Sequence, residues 1–384
     1  MKILHAIPSL DPATGGPPIV AASLAAAQTA LGCPARIISY DFPEARQRIE
    51  SVRESIPGML QVRLDYLPPL TPMEHLRAAA ARKLSRAAVS EVDVVHLHGV
   101  WDPMVRAVAM TAAQAGKPYI LTPHGTLKPW AFAQRRWKKR LAMWLGWRGM
   151  LDGARFLHFL TEEEQRLAAI LCLKPPGRVM PNGIFLQPRP ARGAFRDSQA
   201  QLGKHPYVMF LGRLHYGKGL DYLAKAFVLV LRQRPDARLV VAGPDAGERG
   251  AFESLIRQLG IADRVLLTGP LYGPQKLQAL VDCDCFCLVS RSEGFGLVII
   301  EAMSCGAPVV ISENCPLPEV ATTHAGIITV LDADKIAQAI LTILNDPEKS
   351  RQMGEAGSAL VEARFTWPRI AQKMLEAYGQ TIRR

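Results

Sequence analysis

The residues best suited to chemistry lie in one short stretch, Ser292–Met303. Glu293 stands ahead of Gly294-Phe295-Gly296-Leu297, and Glu301 follows about two turns into the apolar run Leu297–Met303. The pattern predicts a loop running into a helix that starts near Leu297. Gly294 and Gly296 remove side chains where a ligand would approach the backbone. The unpaired N–H groups of a helix start favour an anion, typically phosphate. Glu293, a carboxylate in front of such a start, suits hydroxyl groups on whatever the phosphate carries.

A second stretch supplies positive charge. Gly212-Arg213-Leu214-His215-Tyr216-Gly217-Lys218-Gly219 follows a predicted strand and precedes a predicted helix, where open α/β sheets bind ligands. Arg213 offers a forked contact to a diphosphate and Lys218 a point charge. The competing reading is a solvated turn with two surface cations. No GK[ST] tail follows, so this is not a P-loop.

Histidines form a third group. His124 lies in Thr122-Pro123-His124-Gly125-Thr126, just past a strand, where it could contact a substrate or satisfy its own loop. His96 and His98 alternate along Val95-His96-Leu97-His98-Gly99; His98, with Trp101 and Asp102, is a weaker candidate for an acceptor wall. No HExxH spacing and no DxD pair at a strand end suggests a metal. Arg213, Lys218 and a helix N-terminus can neutralise a leaving phosphate instead, so a metal-independent reaction is expected.

These groups need a frame of strands and helices. In the first half, strands are expected near Lys2–Ile7, Arg36–Tyr40, Met59–Leu64, Val92–Leu97, Tyr119–Thr122, Phe156–Leu160 and Val179. Helices are expected over Ile19–Leu31, Pro72–Val89, Pro103–Ala115, Trp130–Trp147 and Glu162–Leu171, with Gly15-Gly16 in a loop and Asp41–Pro57 undetermined. A Pro- and Gly-rich stretch reaching Pro206 reads as a linker. A second alternating set follows, from a strand at Val208–Leu211 to helices at Ala333–Asn345 and Pro347–Arg364. Alternation of this kind implies parallel sheets covered on both faces, in two doubly wound domains. An amphipathic last helix begins at Pro368.

Composition narrows the setting. At 384 residues, 49% hydrophobic, the chain can bury two cores. The first residues read as a strand rather than a signal peptide. The seven cysteines are scattered except for the alternating Cys283, Cys285 and Cys287, which fit a buried thiol row in a reducing cytoplasm. The net charge is +12, and no acidic residue occurs between Asp102 and Asp152. Within that interval Lys128–Arg148 carries four of six tryptophans, with Trp130, Trp137, Leu141 and Trp144 at helical spacing among lysines and arginines. It reads as an interfacial helix for an anionic membrane surface, against a core helix or a site for an anionic soluble acceptor.

Taken together, Arg213 with Lys218, the Glu293-x7-Glu301 signature enclosing Gly-Phe-Gly, and Gly15-Gly16 resemble the retaining GT-B glycosyltransferases of family 4. The resemblance covers nearly the whole chain. It implies two Rossmann-like domains facing across a cleft: 1–183 for the acceptor and 184–367 for the nucleotide sugar, with 368–384 packing back on the first. It implies that Arg213 and Lys218 neutralise the diphosphate and that Glu293 binds donor-sugar hydroxyls. Gly294, Phe295, Gly296 and Leu297 would offer backbone N–H groups, and Glu301 would bind the ribose. Gly16, with Gly15, would bring the first loop to the phosphates and acceptor, and His124 would face the donor sugar. The segment Ser312–Glu319 departs from the Gly-rich pattern of many relatives and leaves the role of Glu319 open.

The expected activity is transfer of a hexose from a UDP- or GDP-linked sugar, without a cofactor, to a glycan acceptor linked to lipid. The setting would be surface or exopolysaccharide synthesis at the cytoplasmic membrane face. The alternatives are a nucleotide-sugar epimerase of the same fold and a basic nucleic-acid-binding protein. The latter lacks any recognition signature, and nucleic acid is not expected as a partner.

Overall fold

The computed structural model describes residues 1–134 and 136–382, without the side chains of His75, Leu76 and Trp130. The chain divides into two compact units, Met1–Phe185 with the segment from Trp367 onward, and Leu186–Thr366.

In the first unit seven parallel strands follow in chain order: β1 (Ile3–Ala6), β2 (Ala35–Tyr40), β3 (Arg63–Leu67), β4 (Val94–His98), β5 (Tyr119–Thr122), β6 (Leu157–Phe159) and β7 (Gly177–Val179). They lie side by side as β3-β2-β1-β4-β5-β6-β7. The second unit contains β8 (Tyr207–Leu211), β9 (Arg238–Ala242), β10 (Val265–Gly269), β11 (Cys285–Leu288), β12 (Val309–Ser312) and β13 (Gly326–Thr329), ordered β10-β9-β8-β11-β12-β13. In both sheets the order reverses beside the first strand. That reversal opens a crevice at the carboxyl ends of the strands, between β1 and β4 and between β8 and β11. The inner strands β1, β4, β8 and β11 are buried throughout, as parallel sheets covered on both faces require. The cysteines are all free, and Cys283, Cys285 and Cys287 are buried.

The last helix, Trp367–Ile382, buries Ile370, Ala371, Met374, Ala377 and Tyr378 and packs on the helix Gly16–Ala30 of the first unit. Its apolar spacing places one face inward.

Several local expectations need correction. Gly16 is not in a loop: the helix begins there, with Gly15 (φ 125°) just before it and Pro17 in its first turn. Fixed φ and a missing N–H suit proline to that turn. Pro72–Ser90 is two helices, broken at Ala78 in a left-handed conformation. Met59–Gln61 is a 3₁₀ turn and the strand starts later, at Arg63. The stretch left undetermined contains the helix Arg46–Ser55. The segment read as a linker holds a short helix, Ala194–Ser198. The fully buried Asp282 carboxylate caps it, accepting from Phe195 N (2.8 Å) and Arg196 N (3.1 Å). Asp284 adds ion pairs to Arg192 and Arg196, so two distant carboxylates dock this stretch, which local composition does not reveal.

The expected helix Trp130–Trp147 is also broken. Its pieces are Pro129–Ala133, Arg136–Ala142 and a wide turn at Met143–Trp147, with Gln134 extended and Gly146 at φ 107°. Glycine allows the reversal at Gly146; the spacing of tryptophans does not encode it.

Candidate active site

In the second unit the loop after β8, Gly212–Gly219, meets the loop after β11, Val289–Gly296. Glycine permits this approach. Gly219 sits at φ 69°, and a side chain there would collide with the Val289 carbonyl, 2.0 Å from the position of an added Cβ. Arg291 ties the loops together. Its guanidinium forks onto Asp221 at 2.8 and 2.7 Å and donates to the Tyr216 carbonyl at 2.8 Å. A planar donor fork holds such geometry better than an ammonium could.

Within this frame Lys218 pairs with Glu293. Glu293 also accepts the Gly294 N–H at 3.0 Å and the Ser290 hydroxyl at 3.4 Å. The Gly294 N–H is thus turned onto its neighbour's carboxylate. Phe295 buries its ring edge-on against Phe365, with centroids 6.2 Å apart, so its side chain belongs to the core. Gly296 precedes the helix Leu297–Ser304 at φ 80°, and Leu297 is the first helical residue.

Glu301, on that helix, pairs with Lys276 at 2.8 Å. Lys276 was not singled out from the sequence. It lies on the helix Gly273–Asp282, and only the packing of two helices brings it to Glu301. A cavity of about 290 Å³ opens among Arg213, Lys218, Lys276, Glu301, Tyr272 and Val298. Arg213 is exposed and forms no ion pair among the described residues. The cavity therefore gathers three cations from two segments, the loop after β8 and the helix Gly273–Asp282, two of them matched by a glutamate. Such a surface suits a polyanion with hydroxyl groups.

In the first unit His98 is buried, and His124 beside it is partly exposed. Their rings stack with centroids 5.3 Å apart, His98 Nδ1 lying 3.1 Å from His124 Nε2. His124 has φ 52°, rare for a residue with a side chain, and Gly125 follows at 78°. Left-handed residues of this kind cost about 1–3 kcal/mol and concentrate at functional sites. Glu164 holds the turn from below. Its buried carboxylate accepts the N–H groups of Gly125 (2.5 Å) and Leu160 (2.9 Å). Burial raises its pKa against the opposing pull of those two donors. Thr161 and Glu164 look like a capping box in the sequence. The Thr161 hydroxyl does accept the Glu164 N–H, at 3.0 Å, but the carboxylate turns to the His124 loop.

Trp101 and Asp102 have structural duties. The Trp101 indole donates to the Thr126 carbonyl at 3.3 Å and meets Phe132 edge-on. Asp102 caps the helix Pro103–Gln114, accepting the Met104 N–H at 2.8 Å. Five histidines, His5, His96, His98, His124 and His158, gather around the crevice of this sheet. Nitrogens of His5, His96 and His98 lie within 4.8 Å of one another. Both nitrogens of each ring are engaged in hydrogen bonds.

On the basic stretch, Trp137 is 68% and Trp144 82% exposed, with Leu141 and Leu145 exposed beside them. Trp147 turns inward and donates to the Val100 carbonyl at 2.9 Å. The reading as a core helix fails for Trp137 and Trp144. The Trp130 side chain and Arg135 lie outside the described residues. Among those residues no helix is long and apolar enough to cross a membrane.

Two doubly wound units on one chain, the second with a cation-lined cavity at its switch point, define a GT-B type α/β protein. Comparison with known proteins agrees. Residues 15–183 match a glycosyl transferase 4-like domain and 192–359 match the glycosyl transferases group 1 model. The chain belongs to the group 1 glycosyl transferases.

Among solved structures, Anabaena Alr3699/HepE in complex with UDP and glucose superposes with a TM-score of 0.78 at 21% identity, covering 99% of this chain and 100% of that one. At that identity the likeness establishes the fold. A GDP-mannose-dependent monoacylated alpha-(1-6)-phosphatidylinositol monomannoside mannosyltransferase of Corynebacterium glutamicum is 32% identical over 179 residues, 44% of this chain and 46% of the relative. The match thus spans about half of that relative's length. A GDP-mannose:cellobiosyl-diphosphopolyprenol alpha-mannosyltransferase of Xanthomonas oryzae pv. oryzae is 24% identical over all of this chain and 97% of its own.

Proposed function

We propose that this chain transfers a hexose from a nucleoside-diphosphate sugar to a glycan acceptor, with retention at the anomeric carbon and without a metal. The observation that carries the reading is the cavity where Arg213, Lys218 and Lys276 converge beside Glu301. In this reading Arg213 and Lys218 stabilise the charge that grows on the departing diphosphate. Glu293 accepts hydrogen bonds from donor-sugar hydroxyls, and Glu301 accepts from the ribose. The backbone at Gly294, Phe295, Gly296 and Leu297 lines the sugar and phosphate. His124 serves as a polar group at the reacting sugar, an assignment supplied by the family resemblance. The acceptor hydroxyl attacks on the leaving-group face, and the departing phosphate takes its proton. Gly15 and Gly16, at the start of the helix Gly16–Ala30, serve the phosphate and acceptor side of the first unit. His98, Trp101 and Asp102 act on the acceptor side through the surfaces they hold in place.

A UDP- or GDP-linked donor fits the relatives, two of which are named for GDP-mannose. A lipid-linked acceptor is supported by the diphosphopolyprenol and phosphatidylinositol named for the same two. The exposed Trp137, Leu141, Trp144 and Leu145, set among Lys138, Lys139 and Arg140, support peripheral docking on an anionic membrane at the cytoplasmic face. The product would enter surface or exopolysaccharide synthesis.

The test is a donor screen by nucleoside-diphosphate release, with isolated membranes as acceptor source. Release that depends on both one donor and membranes supports transfer. Conversion of the donor to an isomer without acceptor would replace it with epimerisation.

A further inference from the structure

The buried histidines of the first unit form a continuous hydrogen-bonded chain, and one end of it has only one possible proton position. His158 Nε2 lies 2.8 Å from the Met180 carbonyl oxygen. A carbonyl only accepts, so this nitrogen carries the ring's proton. Burial drives His5 and His158 down to about 4, and His96 and His98 well below the usual range. Each ring therefore holds one proton near neutral pH.

The remaining positions follow in order. His158 Nδ1 must accept from the Thr122 hydroxyl at 2.8 Å. The Thr122 oxygen then accepts from His96 Nε2–H at 2.6 Å. His96 Nδ1 accepts from the Tyr378 hydroxyl at 2.5 Å. The Tyr378 oxygen accepts from the Gln28 amide at 3.4 Å, and the Gln28 carbonyl accepts from His5 Nε2–H at 2.7 Å. His5 Nδ1 accepts from His98 Nε2–H at 3.0 Å. His98 Nδ1 accepts from His124 Nε2–H at 3.1 Å. The Nδ1 of His124 is left as a lone pair at the partly exposed end.

Turning the Gln28 amide over leaves a group unsatisfied. If Tyr378 still donates to His96, the Gln28 and Tyr378 oxygens face each other with no proton between them; if Tyr378 donates to Gln28 instead, His96 Nδ1 needs a proton of its own. His96 would become a cation while fully buried, which is costly.

Strand register makes the chain possible. His5 pairs with His96 across β1 and β4, and His98 with Thr122 across β4 and β5. His96 and His98, two residues apart, share a face of the sheet. Tyr378 arrives from the last helix, and among the described residues it alone joins the branch anchored at Met180 to the branch ending at His124.

We propose that this chain is a tautomer lock, in which Tyr378 is a positioning residue that holds His124 in its Nε2–H form and presents Nδ1 as an acceptor for a ligand's hydroxyl. What His124 meets rests on the function proposed above; the proton arrangement does not.

The test is the long-range proton–nitrogen spectrum of the full chain labelled with ¹⁵N-histidine, at neutral pH and without substrate. His5, His96, His98, His124 and His158 are expected to show Nε2–H. In Tyr378→Phe, His158 keeps that form, because Met180 still anchors it, while His5, His98 and His124 become mixtures of tautomers. Adding Gln28→Glu to Tyr378→Phe supplies a carboxylate that can only accept from His5, and restores His124 to Nε2–H. A wild-type His124 with its proton on Nδ1, or a His124 unmoved in Tyr378→Phe, would overturn the lock. Donor turnover measured on the same variants reports on the role of His124 in transfer, separately from the lock.

Discussion

Lys218 and Glu293 form an ion pair although they lie on loops after two different strands, β8 and β11. Both side chains are largely buried. The pair joins the cation assigned to the diphosphate and the carboxylate assigned to the sugar. A change at either residue therefore reaches both ligand parts.

Glu293→Gln keeps the shape of the side chain and removes its charge. Turnover is expected to fall by about 10²–10³, the scale of losing one charge-stabilising group at a reacting centre, with the chain still folded. A rate near wild type in nucleoside-diphosphate release would remove Glu293 from the reaction.

Arg213 is exposed and engaged in no ion pair among the described residues. Arg213→Ala should leave stability within about 0.5 kcal/mol, as for other surface changes. A charge-assisted contact is worth about 1.5–3 kcal/mol, so Kd for the nucleoside diphosphate should rise roughly ten- to hundredfold. Calorimetric titration of the diphosphate alone measures this; an unchanged Kd would place the phosphates elsewhere.

Lys276→Met leaves Glu301 without its partner 2.8 Å away. If Glu301 holds a ribose, the variant should bind the nucleoside diphosphate more weakly, and the free nucleobase should show no difference. Equal loss for both ligands would argue for general disruption of the cavity.

Trp137→Ser with Trp144→Ser removes two of the most exposed aromatic rings. Flotation with vesicles rich in anionic lipid should fall several-fold, and melting should hardly move. Flotation equal to wild type, or none with either protein, would end the membrane reading.

The histidine cluster makes stability acid-sensitive. His5 and His158 titrate near 4 in the folded chain because burial disfavours their charged forms, against about 6.5 when unfolded. Between these values the unfolded chain binds more protons than the folded one, so stability falls as pH falls. Each ring contributes up to about 3 kcal/mol that is present above pH 6.5 and lost by about pH 4. Denaturation midpoints should drop steeply across this window. A Gln28→Leu variant, lacking the His5 acceptor, should begin from a lower plateau. A flat profile would mean that the rings are not held neutral.

Much of this protein is determined by short-range pattern. Alternating strand and helix signals, the Gly-rich loop before Glu293, and the position of Arg213 and Lys218 after a strand are local properties. They follow from backbone conformation and from the 2.0 and 3.6 residue periods. Contacts between distant segments are not local, and only the tertiary structure decided them. Lys276 reaches Glu301 because two helices pack, and Asp282 captures a stretch that reads as linker. Glu164 reaches from its own helix start to hold the His124 turn, and Gly146 breaks a helix that looks continuous. The histidines show the division most clearly. His96 and His98 announce a shared strand face, but parallel register sets His5 beside His96. The last helix then adds Tyr378, more than two hundred residues further along the chain. Each of these contacts depends on register and packing, which no window of sequence contains.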